Sequence, residues 1–121
     1  MSCLFNSLAP SVNLPSQHLR QTIAEYLETD PVLLDDIKAR DVINWTEGEQ
    51  LVSYTERMKK SWMWGGAIEI KAFCELFSVH VTVHVLYTGN QFTIETSKPA
   101  IKNVHISYTG SHFEPMYTTI L

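Results

Sequence analysis

Hydrophobic positions in this chain change period once. Up to Phe77 they recur at intervals of three and four, and from Val79 they alternate with polar residues. The first stretch predicts helices. A short apolar one covers Cys3 to Ala9, and a turn from Pro10 to Pro15 then leads to Ser16 as an N-cap. Leu19, Ile23, Tyr26 and Leu27 follow at helical spacing. Asp30-Pro31 is read as a helix start, with Leu33, Leu34 and Ile37 as its buried side. Thr46-Glu47-Gly48-Glu49 has capping-box spacing ahead of a stripe of Leu51, Tyr54, Thr55 and Met58. Another helix is expected after Gly65-Gly66, with Ile68, Ala72, Phe73 and Leu76 inward.

The second stretch predicts strands. Val79, Val81, Val83 and Val85 alternate with His80, Thr82 and His84. Thr88-Gly89-Asn90 signals a turn, with Phe92 and Ile94 on the returning arm. Val104, Ile106 and Tyr108 alternate again, Gly110 breaks the strand, and His112 begins the last one. Helices followed by strands define an α+β class, here N-terminal helices packed on a small, mainly antiparallel sheet from the C-terminal third. No linker or repeat interrupts the order, so residues 1–121 are expected to form one domain.

Charge and composition narrow the function. A formal net charge of −4, with no basic cluster longer than Lys59-Lys60, argues against a surface that tracks phosphates, so no nucleic-acid partner is expected. No apolar run is long enough to cross a bilayer, and the start lacks a signal-peptide pattern. Two cysteines without a secretory signal read as free thiols in a reducing compartment, which predicts a cytoplasmic protein, and the isolated domain is expected to be a monomer.

Cys3 and the segment Gly110-Ser111-His112-Phe113-Glu114 carry the candidate chemistry. A thiol at the start of a helix faces unpaired N–H groups and the positive end of the helix dipole, both of which stabilise a thiolate and an oxyanion. On a strand, His112 and Glu114 share a face with Cα atoms about 6.6 Å apart, at ~3.3 Å per residue, so the carboxylate can reach a ring nitrogen. Nucleophile, base and orienter are the parts of a cysteine hydrolase acting on an amide.

Three blocks resemble the ovarian-tumour (OTU) family of cysteine proteases, most of which are deubiquitinases. Cys3-Leu4-Phe5-Asn6-Ser7-Leu8 is similar to the family's nucleophile helix, Trp64-Gly65-Gly66-Ala67-Ile68-Glu69-Ile70 to its glycine-bearing motif, and residues 106–113 to its histidine block. The resemblance implies Cys3 as nucleophile, His112 as general base and Glu114 in a third position that the family more often fills with Asp or Asn. The family's Asp-Gly-x before the cysteine has no counterpart in Met1-Ser2. Ubiquitin or a ubiquitin-like modifier is the implied partner, no cofactor or metal is required, and the short chain resembles viral members cut from polyproteins. Self-cleavage of a viral polyprotein and a catalytically inactive ubiquitin-binding module are the alternative functions.

Other residues are assigned bulk roles or left open. Cys74, between Phe73 and Leu76, is read as a core thiol, and His80, His84 and His105 as structural, because no ligand-spaced partner stands nearby. Trp64 either fills the core or walls a channel. Gly65 and Gly66 permit close backbone approach, which serves a glycine-ended substrate and a turn before a helix equally well.

Overall fold

The computed structural model describes residues 2–121. α1 (Cys3–Leu8) tightens into a 3-10 turn over Ala9–Val12, where Pro10 removes an amide donor, and Asn13 closes it at φ 56°. α2 (Ser16–Glu28) buries Leu19, Ile23, Ala24 and Leu27, and also Arg20. Its N-cap position is Pro15 rather than Ser16, which is the first helical residue.

The next segment departs from the expected helix. Residues after Pro31 form a hairpin of β1 (Val32–Leu34) and β2 (Ile37–Lys38). Leu33 is buried between exposed Val32 and Leu34, a period of two that helical spacing of three leucine-like residues does not exclude. Asp35 turns the hairpin at φ 49°, a conformation that aspartate tolerates better than most residues. Asp30, also at positive φ, accepts the Arg40 N–H at 2.9 Å and so ties the entry of the hairpin to its exit.

α3 (Ala39–Glu47) then runs through Thr46, whose hydroxyl donates to the Val42 carbonyl at 2.8 Å instead of capping a new helix. Gly48 ends α3 at φ 66°, donating its N–H to the Asn44 carbonyl. The apparent capping box is therefore a C-terminal stop, because only glycine takes the left-handed cap without cost. α4 (Leu51–Met58) starts after Gln50 and buries Tyr54, Thr55 and Met58.

α5 (Ala67–Phe77) follows Gly66 and stops at Ser78, φ 55°. It leads directly into β3 (Val79–Val85), followed by β4 (Asn90–Ile94), β5 (Lys102–Tyr108) and β6 (Phe113–Ile120). The sheet order is β4-β3-β5-β6. β3 pairs antiparallel with β4, and β5 with β6, but β3 and β5 are parallel, with Val79 opposite Lys102 and Val85 opposite Tyr108. Alternation has the same period in either orientation, so the sequence pattern does not distinguish them. The crossing segment 95–101 is pinned onto α5. Ser97 donates N–H and O–H to the Glu75 carboxylate, each at 2.7 Å, and Lys98 Nζ donates to the Glu75 carbonyl. Burial raises the Glu75 pKa, but the Ser97 donors and Lys71 outweigh it and leave the carboxyl below its usual value.

One core joins these elements. Phe5 and Leu8 of α1, Leu19 and Ile23 of α2 and Phe73 of α5 pack with Val81, Val83, Val104 and Ile106 of the sheet. Glu69 lies in this interior at 1% exposure, accepting the Gly66 N–H on Oε1 at 2.7 Å and the Tyr54 O–H on Oε2 at 2.5 Å. Burial pushes its carboxyl up to about 7, against the pull of both donors. A raised folded value favours the protonated carboxyl in the native state. The resulting stability is full below the unfolded value near 4.5 and is lost as pH rises through about 7. Urea unfolding should therefore show the advantage of wild type over Glu69→Gln shrinking between pH 4.5 and 7, by about 3 kcal/mol at ~1.4 kcal/mol per pKa unit. An unchanged difference across that window contradicts the assignment.

Candidate active site

Cys3 is the first residue of α1, and Ser2 before it makes no side-chain cap. Asn6 N–H reaches the Ser2 carbonyl at 2.8 Å, and among the described residues the N–H groups of Cys3, Leu4 and Phe5 find no acceptor within the helix. The thiol is 7% exposed, and Leu4 and Phe5 behind it are buried. α1 lies along β6 and β5 on one side and against α2 on the other.

Gly65 determines how closely α1 approaches the glycine motif. A Cβ there would meet Leu4 Cδ2 at 2.8 Å and the Phe5 ring at 3.0 and 3.1 Å, while a Cβ at Gly66 would meet nothing. The two glycines thus serve different ends. Gly65 admits α1, and Gly66 supplies the N–H that Glu69 caps.

His112 sits at the end of a tight turn that joins β5 to β6. Its N–H donates to Thr109 Oγ1 at 3.1 Å, and its carbonyl accepts the Thr109 N–H at 2.9 Å. Gly110 makes the turn possible at φ 104°, with its carbonyl bound by the Tyr108 hydroxyl at 2.8 Å. Phe113 stacks on Tyr108 with ring centroids 4.6 Å apart, which anchors the turn to the sheet. The expected pairing across Phe113 is present but loose. His112 Nε2 and Glu114 Oε1 are 3.7 Å apart, and both side chains are more than half exposed.

A cleft of about 360 Å³ separates this turn from the glycine motif, lined by Trp64, Gly65, Tyr108, Gly110, Ser111 and Phe113. Trp64 is 56% exposed, so it walls the cleft and does not fill the core. Among the described residues no hydrogen bond joins Cys3 Sγ to His112. Nucleophile–base contacts are often looser than hydrogen-bond distance before substrate binds.

Neither Cys3 nor His112 is itself among the cleft's lining residues, and the other histidines lie apart from it as well. His84 Nε2 and His105 Nδ1 are 2.9 Å apart, and Tyr117 stacks on His105 at 4.2 Å. His80 Nδ1 accepts the Thr96 N–H. Among the described residues no cluster of three or more His, Cys, Asp or Glu gathers as metal ligands. Cys74 is fully buried, and burial pushes its thiol up to about 12. A thiol so placed is a poor nucleophile at neutral pH.

Two residues of this region escape the motif reading. Arg20, fully buried, donates to the carbonyls of Met58 at 2.9 Å and Met63 at 2.8 Å, with its guanidinium 4.4 Å from the centre of the Phe5 ring. Glu69 caps α5. Both had a visible signal: Arg20 stands four before Ala24 on the apolar side of α2, and Glu69 stands three after Gly66.

The pattern of the OTU-like cysteine proteases matches residues 2–117. The chain belongs to that family. A putative ubiquitin thioesterase, otu1, of Schizosaccharomyces pombe is 24% identical over 113 residues, covering 93% of this chain and 32% of that protein, so the chain spans about a third of this relative's length. An OTU domain solved in complex with ubiquitin superposes with a TM-score of 0.78 at 19% identity, covering 99% of this chain and 68% of the other. An OTU deubiquitinase from Wolbachia pipientis wMel gives 0.75 at 21%, covering 96% and 82%. The viral OTU domain protease of Dera Ghazi Khan virus gives 0.73 at 13%, covering 99% and 75%.

The glycines supply a sharp contrast for mutation. Gly65→Ala should lower stability by about 1–3 kcal/mol, the usual cost of overpacking, because Leu4 and Phe5 must move. Gly66→Ala should change it by less than ~1 kcal/mol, since the space is open and the N–H is kept. Denaturant melts of both variants check this, and equal effects would contradict the role given to Gly65.

Proposed function

We propose that this chain is a thiol-dependent hydrolase that releases ubiquitin or a ubiquitin-like modifier, with Cys3 as nucleophile, His112 as general base and Glu114 as the imidazole's partner. The observation that carries this reading is the convergence of three segments. The helix starting at Cys3 packs on Gly65, and the turn bearing His112 closes the cleft of which Gly65 and Trp64 form the opposite wall. The family, the fission yeast relative's name and the ubiquitin-bound OTU domain support the choice of substrate.

In the proposed reaction His112 takes the thiol proton, and the thiolate attacks the carbonyl carbon of the modifier's terminal glycine. The oxyanion develops beside the free N–H groups at the start of α1, where fixed donors stabilise it. Its collapse breaks the C–N bond, and His112 delivers the proton to the leaving lysine amine. Water then loses a proton to His112 as it attacks the thioester, and the Cys3 thiolate departs and is reprotonated. Trp64, Gly65 and Gly66 would border the path of a narrow glycine-ended tail. A reducing, cytoplasmic setting suits the nucleophilic thiol.

A ubiquitin-binding module without catalysis is favoured by one observation, the loose and exposed His112–Glu114 pair. Cleavage of a viral polyprotein would use the same residues on a different substrate. A ubiquitin probe with a C-terminal electrophile separates catalysis from binding. Covalent capture that is lost in Cys3→Ala and kept in Cys74→Ala supports the hydrolase. Reversible association alone supports the binding module.

Turnover of a fluorogenic ubiquitin substrate should be abolished by His112→Ala and nearly unchanged by His84→Ala. Glu114→Gln should cost no more than about fivefold, because an exposed ion pair contributes at most ~1 kcal/mol. A loss in Glu114→Gln as complete as that in His112→Ala would show that Glu114 has a larger part than its geometry suggests.

A further inference from the structure

Arg20 is the largest fully buried side chain in the protein, and its contacts join three segments that meet at the cysteine. Nη1 donates to the Met58 carbonyl, and Nη2 donates to the carbonyls of Met63 at 2.8 Å and Ser61 at 3.4 Å and to Ser2 Oγ at 3.5 Å. Ser2 Oγ itself donates to the Ser61 carbonyl at 3.3 Å. The guanidinium also lies over the ring of Phe5, two residues past Cys3. One rigid, planar group on α2 thus holds the irregular 58–63 loop, the residue before Cys3 and the helix after it.

The loop it holds continues into Trp64 and Gly65, which form one wall of the cleft. From this geometry we infer that Arg20 is a positioning residue, setting the place of the Cys3 backbone relative to the Trp64-Gly65 wall. The inference rests on Cys3 being the nucleophile. Arg20 touches no substrate. It acts through Ser2, Phe5 and the loop, and displacing a reacting group by about 1 Å can cost on the order of 100-fold in rate.

Arg20→Lys keeps the charge but loses the planar fork that reaches separate carbonyls. Ser2→Ala removes only the hydroxyl that bridges Arg20 and Ser61, leaving the core untouched. Both variants are tested in the full chain by hydrogen exchange, by the rate of capture by a ubiquitin electrophile, and by steady-state kinetics. In Arg20→Lys, amides of residues 3–5 and 58–64 should exchange at least tenfold faster, capture should slow by tenfold or more, and the loss should fall on kcat with KM unchanged. In Ser2→Ala, capture should slow two- to fivefold with the thermal midpoint unchanged, a result that decides the matter if Arg20→Lys fails to fold. Wild-type capture rates in both variants, or a loss confined to KM, would overturn the role of Arg20 while leaving Cys3 as nucleophile. Wild type that is never captured at Cys3 would overturn the functional reading. Unchanged exchange in the two segments of Arg20→Lys would overturn the hub whether or not the chain is active.

Discussion

A charged guanidinium taken wholly out of water costs several kcal/mol unless fixed acceptors replace its hydration. Around Arg20 those acceptors are main-chain carbonyls of Met58, Ser61 and Met63, with the Phe5 ring against its face. The loop after Met58 carries only turn-type bonds of its own, such as Met63 N–H to the Lys60 carbonyl, and the carbonyls it presents to Arg20 help to fix its path. Burial draws the Arg20 pKa down and the Glu69 charge opposes this, which links the guanidinium to another ionisable group of the interior. The same group therefore touches the residue before Cys3, the ring of Phe5 and the loop that leads to the glycine motif.

Glycine completes the arrangement where charge cannot. Gly65 lets Leu4 and Phe5 come within van der Waals distance of a backbone, and Gly110 lets the chain turn sharply ahead of His112. A loop and a strand turn, far apart in sequence, then share one cleft, with Leu4 and Phe5 of α1 packed against Gly65 in its wall. The side chains of His112 and Glu114 are the loosely held parts, and both are more than half exposed. A site of this kind tightens when substrate excludes water from it.

Periodicity exposed the long elements well: α2, α4, α5 and the strands β3, β4 and β5 lie where apolar spacing put them. It misread the segment after Pro31, because three apolar residues within five positions suit a helix and a hairpin equally. It also misread Thr46-Glu47-Gly48, where a helix ends rather than begins, since one glycine at positive φ outweighs a cap-like spacing. Candidate residues for the site were legible because Cys3, Gly65-Gly66 and His112 sit in short motifs at element boundaries. Arg20 and Glu69 were passed over despite a positional signal, since motif reading weights exposed polar residues and these two are buried.

By itself, then, the sequence determined the order of helices and strands, the chemical types available for catalysis and the family whose motifs they match. These depend on neighbours within a few residues, where side-chain period and turn chemistry act. Tertiary structure alone decided that β5 runs parallel to β3, that Trp64 faces a cleft and not the core, and that Arg20 joins the residue before Cys3 to the loop. Each of these depends on burial and on hydrogen bonds between residues tens of positions apart, and no local pattern encodes which distant carbonyl a buried donor will find.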